Sequence, residues 1–188
     1  MESLKITVYL ASAIALCDDY SPSLDSLLEW LWLDERGLVS PNPSPEDLIE
    51  TDLPLAKGNI NGEWYWQVSS PCYTLLSEQT TRFRKRWDYH DTALNWGKRR
   101  GKFSTSEGAE KSYDLPLYLR SVKNITWYAV GDREEVEHLL KNCRGLGKKR
   151  SFGYGQVLSW TVSSYQEDYH LWGPQKQLMR PVPIALIK

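Results

Sequence analysis

The chain has little of what would carry it into or across a membrane. Nowhere among its 188 residues is there an uninterrupted apolar run of about 18, the length that a helical span requires. The opening MESLKITVYLASAIALC imitates an export signal in its Ala11-Ser12-Ala13 triplet, but Glu2 offsets Lys5, and Lys5 and Thr7 break the run into alternation. A cytoplasmic protein without membrane contact is expected. Cysteine is equally scarce: Cys17, Cys72 and Cys143 are far apart and odd in number, which excludes a disulfide framework or a zinc knuckle and leaves buried free thiols. There is no GK[ST] triplet, and Arg150 stands where a dinucleotide fingerprint needs its third glycine, so both common mononucleotide loops are excluded. The densest acids, Glu46, Asp47, Glu50 and Asp52, fall in a proline-rich loop and read as solvated, so neither a metal nor another cofactor is expected. No internal repeat is found.

What the chain does have is aromatic surface and divided charge. Nine tryptophans and eleven tyrosines are many for one domain, and serve either as core or as stacking platforms. The net charge is only −1, yet residues 1–81 carry 13 acids against Lys5, Arg36 and Lys57. Residues 82–102 carry eight basic side chains against Asp88 and Asp91, and residues 141–150 carry five with no acid. Two basic patches on an acidic body focus positive potential locally, the arrangement that a polyanionic ligand requires.

Periodicity supplies the elements. Leu4, Ile6, Val8 and Leu10 alternate with polar residues as in a half-buried strand. Ser21 can cap a following helix with Pro22 in its first turn, Leu24, Leu27, Leu28 and Leu31 on one face and Gly37 at its end. Residues 39–57 read as loop, residues 63–70 as a strand, and residues 78–113 as an exposed hairpin or mobile loop. Asn124–Val130 is a strand; Asp132 and Glu135 form a capping box before an apolar stripe of Val136, Leu139, Leu140 and Cys143; Val157–Val162 is a last strand. One α+β domain over 1–188 is expected, a ferredoxin-like βαββαβ sheet with its helices on one face.

The stretch GLGKKRSFGYGQV, Gly145–Val157, joins the second helix to that last strand and sets four glycines within eleven residues around Lys148, Lys149 and Arg150. It shares Arg150, Phe152 and Gly153 with the RNP1 pattern of the RNA-recognition motif, but RNP1 precedes its helix, whereas this stretch follows one. In position and detail, "KKRS" and "GYGQV" included, it resembles the glycine-rich loop of the RAMP superfamily, the ferredoxin-like RNA-binding proteins of CRISPR-Cas systems. The resemblance implies RNA contacts from Gly145, Gly147, Lys148, Lys149, Arg150, Ser151, Phe152, Gly153, Tyr154 and Gly155, with backbone amides and cations meeting phosphate and an aromatic face meeting a base.

Within that superfamily the chain is most similar to the small subunit that grips the 5′ handle of the crRNA in Cascade-like effector complexes and caps their backbone filament, the compact type IV version above all. The similarity implies an inserted basic thumb at about 80–113, where Arg82, Arg84, Lys85, Arg86, Lys98, Arg99 and Arg100 would bind RNA and Trp87 and Trp96 would either wedge or pack. The partners implied are crRNA, the backbone and large subunits of the complex, and target DNA near its flanking motif. The alternative is the metal-independent endonuclease branch, which cuts repeat RNA by acid–base chemistry and usually uses a histidine. His90, His138 and His170 are available, and His90 in WDYHD is the one candidate, so no catalytic residue is assigned.

Overall fold

The computed structural model describes residues 1–16, 22–40, 49–85 and 112–182. The first strand, β1 (Glu2–Leu10), is central: Leu4, Ile6 and Val8 are buried, as the alternation requires. A bend leads to the short β2 (Ile14–Leu16), and helix α1 (Leu24–Glu35) follows. Ser23 is the residue at its N-cap; Ser21 lies outside the described residues. Leu24, Leu28 and Leu31 are buried, and Gly37, at φ +66°, ends the helix with its amide on the Asp34 carbonyl.

Next comes the hairpin of β3 (Lys57–Ile60) and β4 (Glu63–Trp66), turned through Asn61 and Gly62, both at positive φ. The expected strand 63–70 therefore divides: its first half pairs with β3 and the rest runs on as an irregular edge. Residues 113–122 are also strand, as described below. β7 (Asn124–Gly131), helix α2 (Arg133–Leu140) and β8 (Val157–Ser164) complete the body. The Asp132 carboxylate accepts from the Glu134 and Glu135 amides at 3.0 and 3.1 Å, a cap that contributes about 1 kcal/mol. The Asp132 amide itself donates to the Pro54 carbonyl, so a long-range partner takes that role from Glu135.

The main sheet runs β7–β1–β8, antiparallel throughout. Beyond β7, the 54–72 segment adds bridges at Leu55–Gly131, Val68–Ala129 and Cys72–Thr126. It thus acts as a fourth, irregular strand parallel to β1. The two βαβ crossovers interleave, with β7 between the strands of the first and β1 between those of the second. The fold is α+β and compatible with the expected ferredoxin-like arrangement. Both helices press on one face, where Trp127, Leu140 and Leu146 are among the fully buried side chains. Trp127 stacks on Trp160 at 6.0 Å and donates its indole N–H to the Pro22 carbonyl at 3.2 Å, so these two tryptophans are core. On the opposite face Thr7 and Thr126 share a hydroxyl bond of 3.0 Å beside the ring cluster of Tyr128, Tyr165 and Tyr169. No helix among the described residues is long and apolar enough to cross a membrane.

A second sheet, β2–β6–β5, stands apart from the first. Its β5 (Leu75–Lys85) and β6 (Tyr113–Val122) pair over their whole length as a two-stranded ribbon, which begins before residue 80 and returns past residue 113. Residues 86–111 lie outside the described residues. β2 fastens the ribbon to the body through Ile14–Arg120, Ala15–Leu119 and Leu16–Tyr118, and Ala15, Leu117 and Leu119 form a small separate core that Tyr154 packs against.

Candidate nucleic-acid interface

The glycine-rich loop is seated on the free edge of β2. The Lys148 amide donates to the Ala15 carbonyl and the Gly155 amide to the Ala13 carbonyl, each at 2.8 Å; Leu146 donates to Gly155 and Val157 to Arg144. Ser12 adds two bonds, its hydroxyl donating to the Gly153 carbonyl at 2.7 Å and accepting from the Gln156 amide at 3.0 Å. A short 3-10 turn, Arg150–Phe152, closes the loop, with the Phe152 and Gly153 amides on the carbonyls of Lys149 and Arg150. The amides of Leu146, Lys148, Phe152, Gly153, Gly155, Gln156 and Val157 are thus spent inside the protein rather than held ready for phosphate.

The glycines have an internal purpose as well. A Cβ on Gly147 would stand 2.4 Å from the Ala15 carbonyl oxygen, and one on Gly155 only 1.9 Å from that of Leu146; both residues have positive φ. Gly153, at φ +85°, faces open space. Two of the four glycines therefore let the loop close on its neighbours, and the cations project from that closed scaffold.

Each cation is placed differently. Lys148 is exposed and makes no ion pair among the described residues. Lys149, itself at φ +57°, holds its ammonium 3.6 Å from the Phe83 ring centroid and 5.7 Å from that of Tyr113. Phe152 meets Phe83 edge-on at 4.9 Å and Phe83 stacks on Tyr113 at 5.7 Å, so the loop and the ribbon share one aromatic cluster. Arg150 turns back, its guanidinium 5.0 Å from the Trp30 ring of α1 and 3.5 Å from the Gly145 carbonyl. Ser151 is exposed and Tyr154 half-buried.

The ribbon divides its own charges. Strand alternation puts Lys85 on the face of Phe83, toward the loop, and Arg82 and Arg84 on the other. Both arginines reach Asp114 across the ribbon, at 2.8 and 3.2 Å. The hydrogen bond from Arg82 holds the Asp114 carboxyl below the ordinary aspartate range and raises the arginine in turn. Arg86, Lys98, Arg99 and Arg100, with Trp87, Trp96 and His90, lie outside the described residues. Of the expected basic set, the structure sets Lys149 against the ribbon aromatics, with Lys85 on the same face of β5 as Phe83, turns Lys148 and Arg150 toward α1, and puts Arg82 and Arg84 on the ribbon's other face.

The two described histidines are both held by carboxylates. His138 Nε2 lies 2.7 Å from Glu35 on the outside of the helix pair. His170 bonds Asp168 through Nδ1 and the Tyr65 hydroxyl through Nε2, at 3.1 Å, with Arg180 5.1 Å from the Tyr65 ring; partial burial pushes the tyrosine's pKa up. That Asp168–His170–Tyr65 chain joins segments about a hundred residues apart and has no mark in the sequence. No group of three or more His, Cys, Asp or Glu side chains among the described residues is placed to hold a metal ion.

No curated protein matches this chain. Residues 81–183 match the model of the family described as CRISPR type IV associated protein Csf3, a span that takes in the end of β5, β6, the body strands β7 and β8, and the whole glycine-rich loop. That match covers more than half of the chain, and the protein is consistent with a component of a CRISPR effector complex: it belongs to the Csf3 family of type IV CRISPR-associated proteins.

Proposed function

We propose that the protein is the crRNA-binding subunit of its type IV effector complex, gripping the 5′ handle of the crRNA at the surface where the glycine-rich loop meets the ribbon and capping the backbone filament there. The observation that carries this reading is the position of Lys149: its ammonium bridges from the loop to Phe83 and Tyr113, so that a loop cation and two ribbon aromatics form one continuous surface. Single-stranded RNA is bound in general by this pairing of backbone-tracking charge with stacking faces. Membership of the RAMP superfamily fits the same loop, lying between α2 and β8 of a ferredoxin-like body.

The test is binding of labelled repeat-derived RNA by the purified full-length protein across a salt series. Replacing Lys148, Lys149 and Arg150 together by Ala should lower the log–log salt slope by about two units, at about 0.7 per single-strand phosphate contact. An unchanged slope in a folded triple variant would remove the loop from the interface. Magnesium-independent cleavage of repeat RNA, abolished by His90→Ala, would move the chain to the processing branch.

A further inference from the structure

Beside the glycine-rich loop lies a pocket of about 300 Å³, walled on one side by α1 and on the other by Gly145–Lys148 and Arg150. Its α1 wall is Leu27, the indole of Trp30, and Ser23 and Ser26 of the first turn; Lys148 and Arg150 stand on the loop side. Among the described residues no carboxylate lines it: Asp25, in the first turn, accepts from the Ser23 hydroxyl and the Ser26 amide and does not reach the pocket wall. Trp30 is 37% exposed, unlike Trp127 at 0%, so this indole is not spent on the core. Its visible partner is the Arg150 guanidinium.

The geometry points to a binding pocket for one unpaired nucleotide, its base stacked on the Trp30–Arg150 wall and its phosphate held by Lys148 at the mouth. The inference rests on the reading of the loop as an RNA-binding surface and adds a residue of α1 to it. An aromatic and aliphatic wall and two cations match the two halves of a nucleotide, a flat π-face and an anion. An acidic protein side chain would satisfy the cations but leave the indole idle. Phe152 and Tyr154, the aromatics adjacent to the cations in sequence, are already engaged with Phe83 and with the small core beneath the ribbon. Trp30, with the Arg150 guanidinium beside it, is the ring in the wall of this pocket.

The experiment uses the full-length protein and two fluorescein-labelled probes of equal length, single-stranded oligoadenylate and its abasic ribose-phosphate counterpart, read by anisotropy. The wild type should prefer oligoadenylate. Trp30→Leu, which keeps apolar bulk and loses the face, should weaken that probe by about 5- to 150-fold, the range for one stacked base, with the abasic probe and the salt slope unchanged. Trp30→Phe should stay close to wild type. Ser26→Glu guards against a folding failure of the leucine variant: a carboxylate in the first turn suits the helix and repels the phosphate, so both probes should weaken. Wild-type affinity in folded Trp30→Leu and Ser26→Glu, alongside a loop triple variant that does lose RNA, would overturn the pocket and leave the proposed function standing. Loss of a co-purifying protein subunit from Trp30→Leu with RNA binding intact would overturn it too, assigning the pocket to a protein side chain. A folded wild type that binds neither probe would refute both readings together.

Discussion

Gly155→Ala tests whether the glycines of the loop serve the fold or a ligand. The new Cβ would stand 1.9 Å from the Leu146 carbonyl oxygen, far inside contact distance, at a residue held at φ +62°. The clash cannot be relieved without parting two backbone bonds, Gly155 to Ala13 at 2.8 Å and Leu146 to Gly155 at 2.9 Å. Each bond contributes about 0.5–1.5 kcal/mol, and the left-handed backbone costs a residue with a Cβ about 1–2 kcal/mol, for a total of about 2–5 kcal/mol. Gly153→Ala is the control: φ is +85° but nothing lies within 4 Å of its Cβ, so only the backbone term of about 1–2 kcal/mol applies. Urea denaturation separates the two. At a slope of about 2 kcal/mol per molar, Gly155→Ala should lower the midpoint by roughly 1–2.5 M and Gly153→Ala by under about 1 M. Equal and small shifts for both would refute the argument and return Gly155 to a role in ligand approach.

Two further outcomes follow from the charges and thiols. Asp114 is depressed in the folded state by Arg82, so its contribution to stability is fully present above the unfolded value of about 3.9 and is lost as the pH falls through the lower folded value. Carboxyl NMR titration should show Asp114 ionising below the ordinary aspartate range and returning upward in Arg82→Ala; a titration that does not move would remove that bond. Burial raises the Cys143 thiol, which also donates to the Gly145 carbonyl at 3.7 Å. At neutral pH it should react with a thiol reagent only on unfolding, and fast labelling of Cys143 in the native protein, mapped by mass spectrometry, would contradict its place in the core.

The local elements were legible because their signals are local. Alternation along Leu4–Leu10, the leucine stripe of α1 with Gly37 after it, and Asp132 before Val136 and Leu140 each report on neighbours one or two turns away, and the structure places all three as expected. β6 carries an alternation of Leu115, Leu117 and Leu119, but Pro116 interrupts it, and its partners lie in β2 and β5, about a hundred and some forty positions away, so it was not read as a strand. The edge at 67–72, which takes in the second half of the strand expected at 63–70, pairs with β7 only through isolated bridges and not as a regular ladder. At the site the sequence supplied the cations and the loop, since charge and glycine are written in composition. Tertiary structure alone decided their use. Whether an amide is free for phosphate depends on Ala13 and Ala15, which come from the bend before β2 and from β2; whether Gly155 can carry a side chain depends on Leu146; and which aromatic lines the pocket, Trp30 rather than Tyr154, depends on how α1 and the ribbon pack against one loop. Those are contacts between segments distant in sequence, and chain closure, not local propensity, sets them.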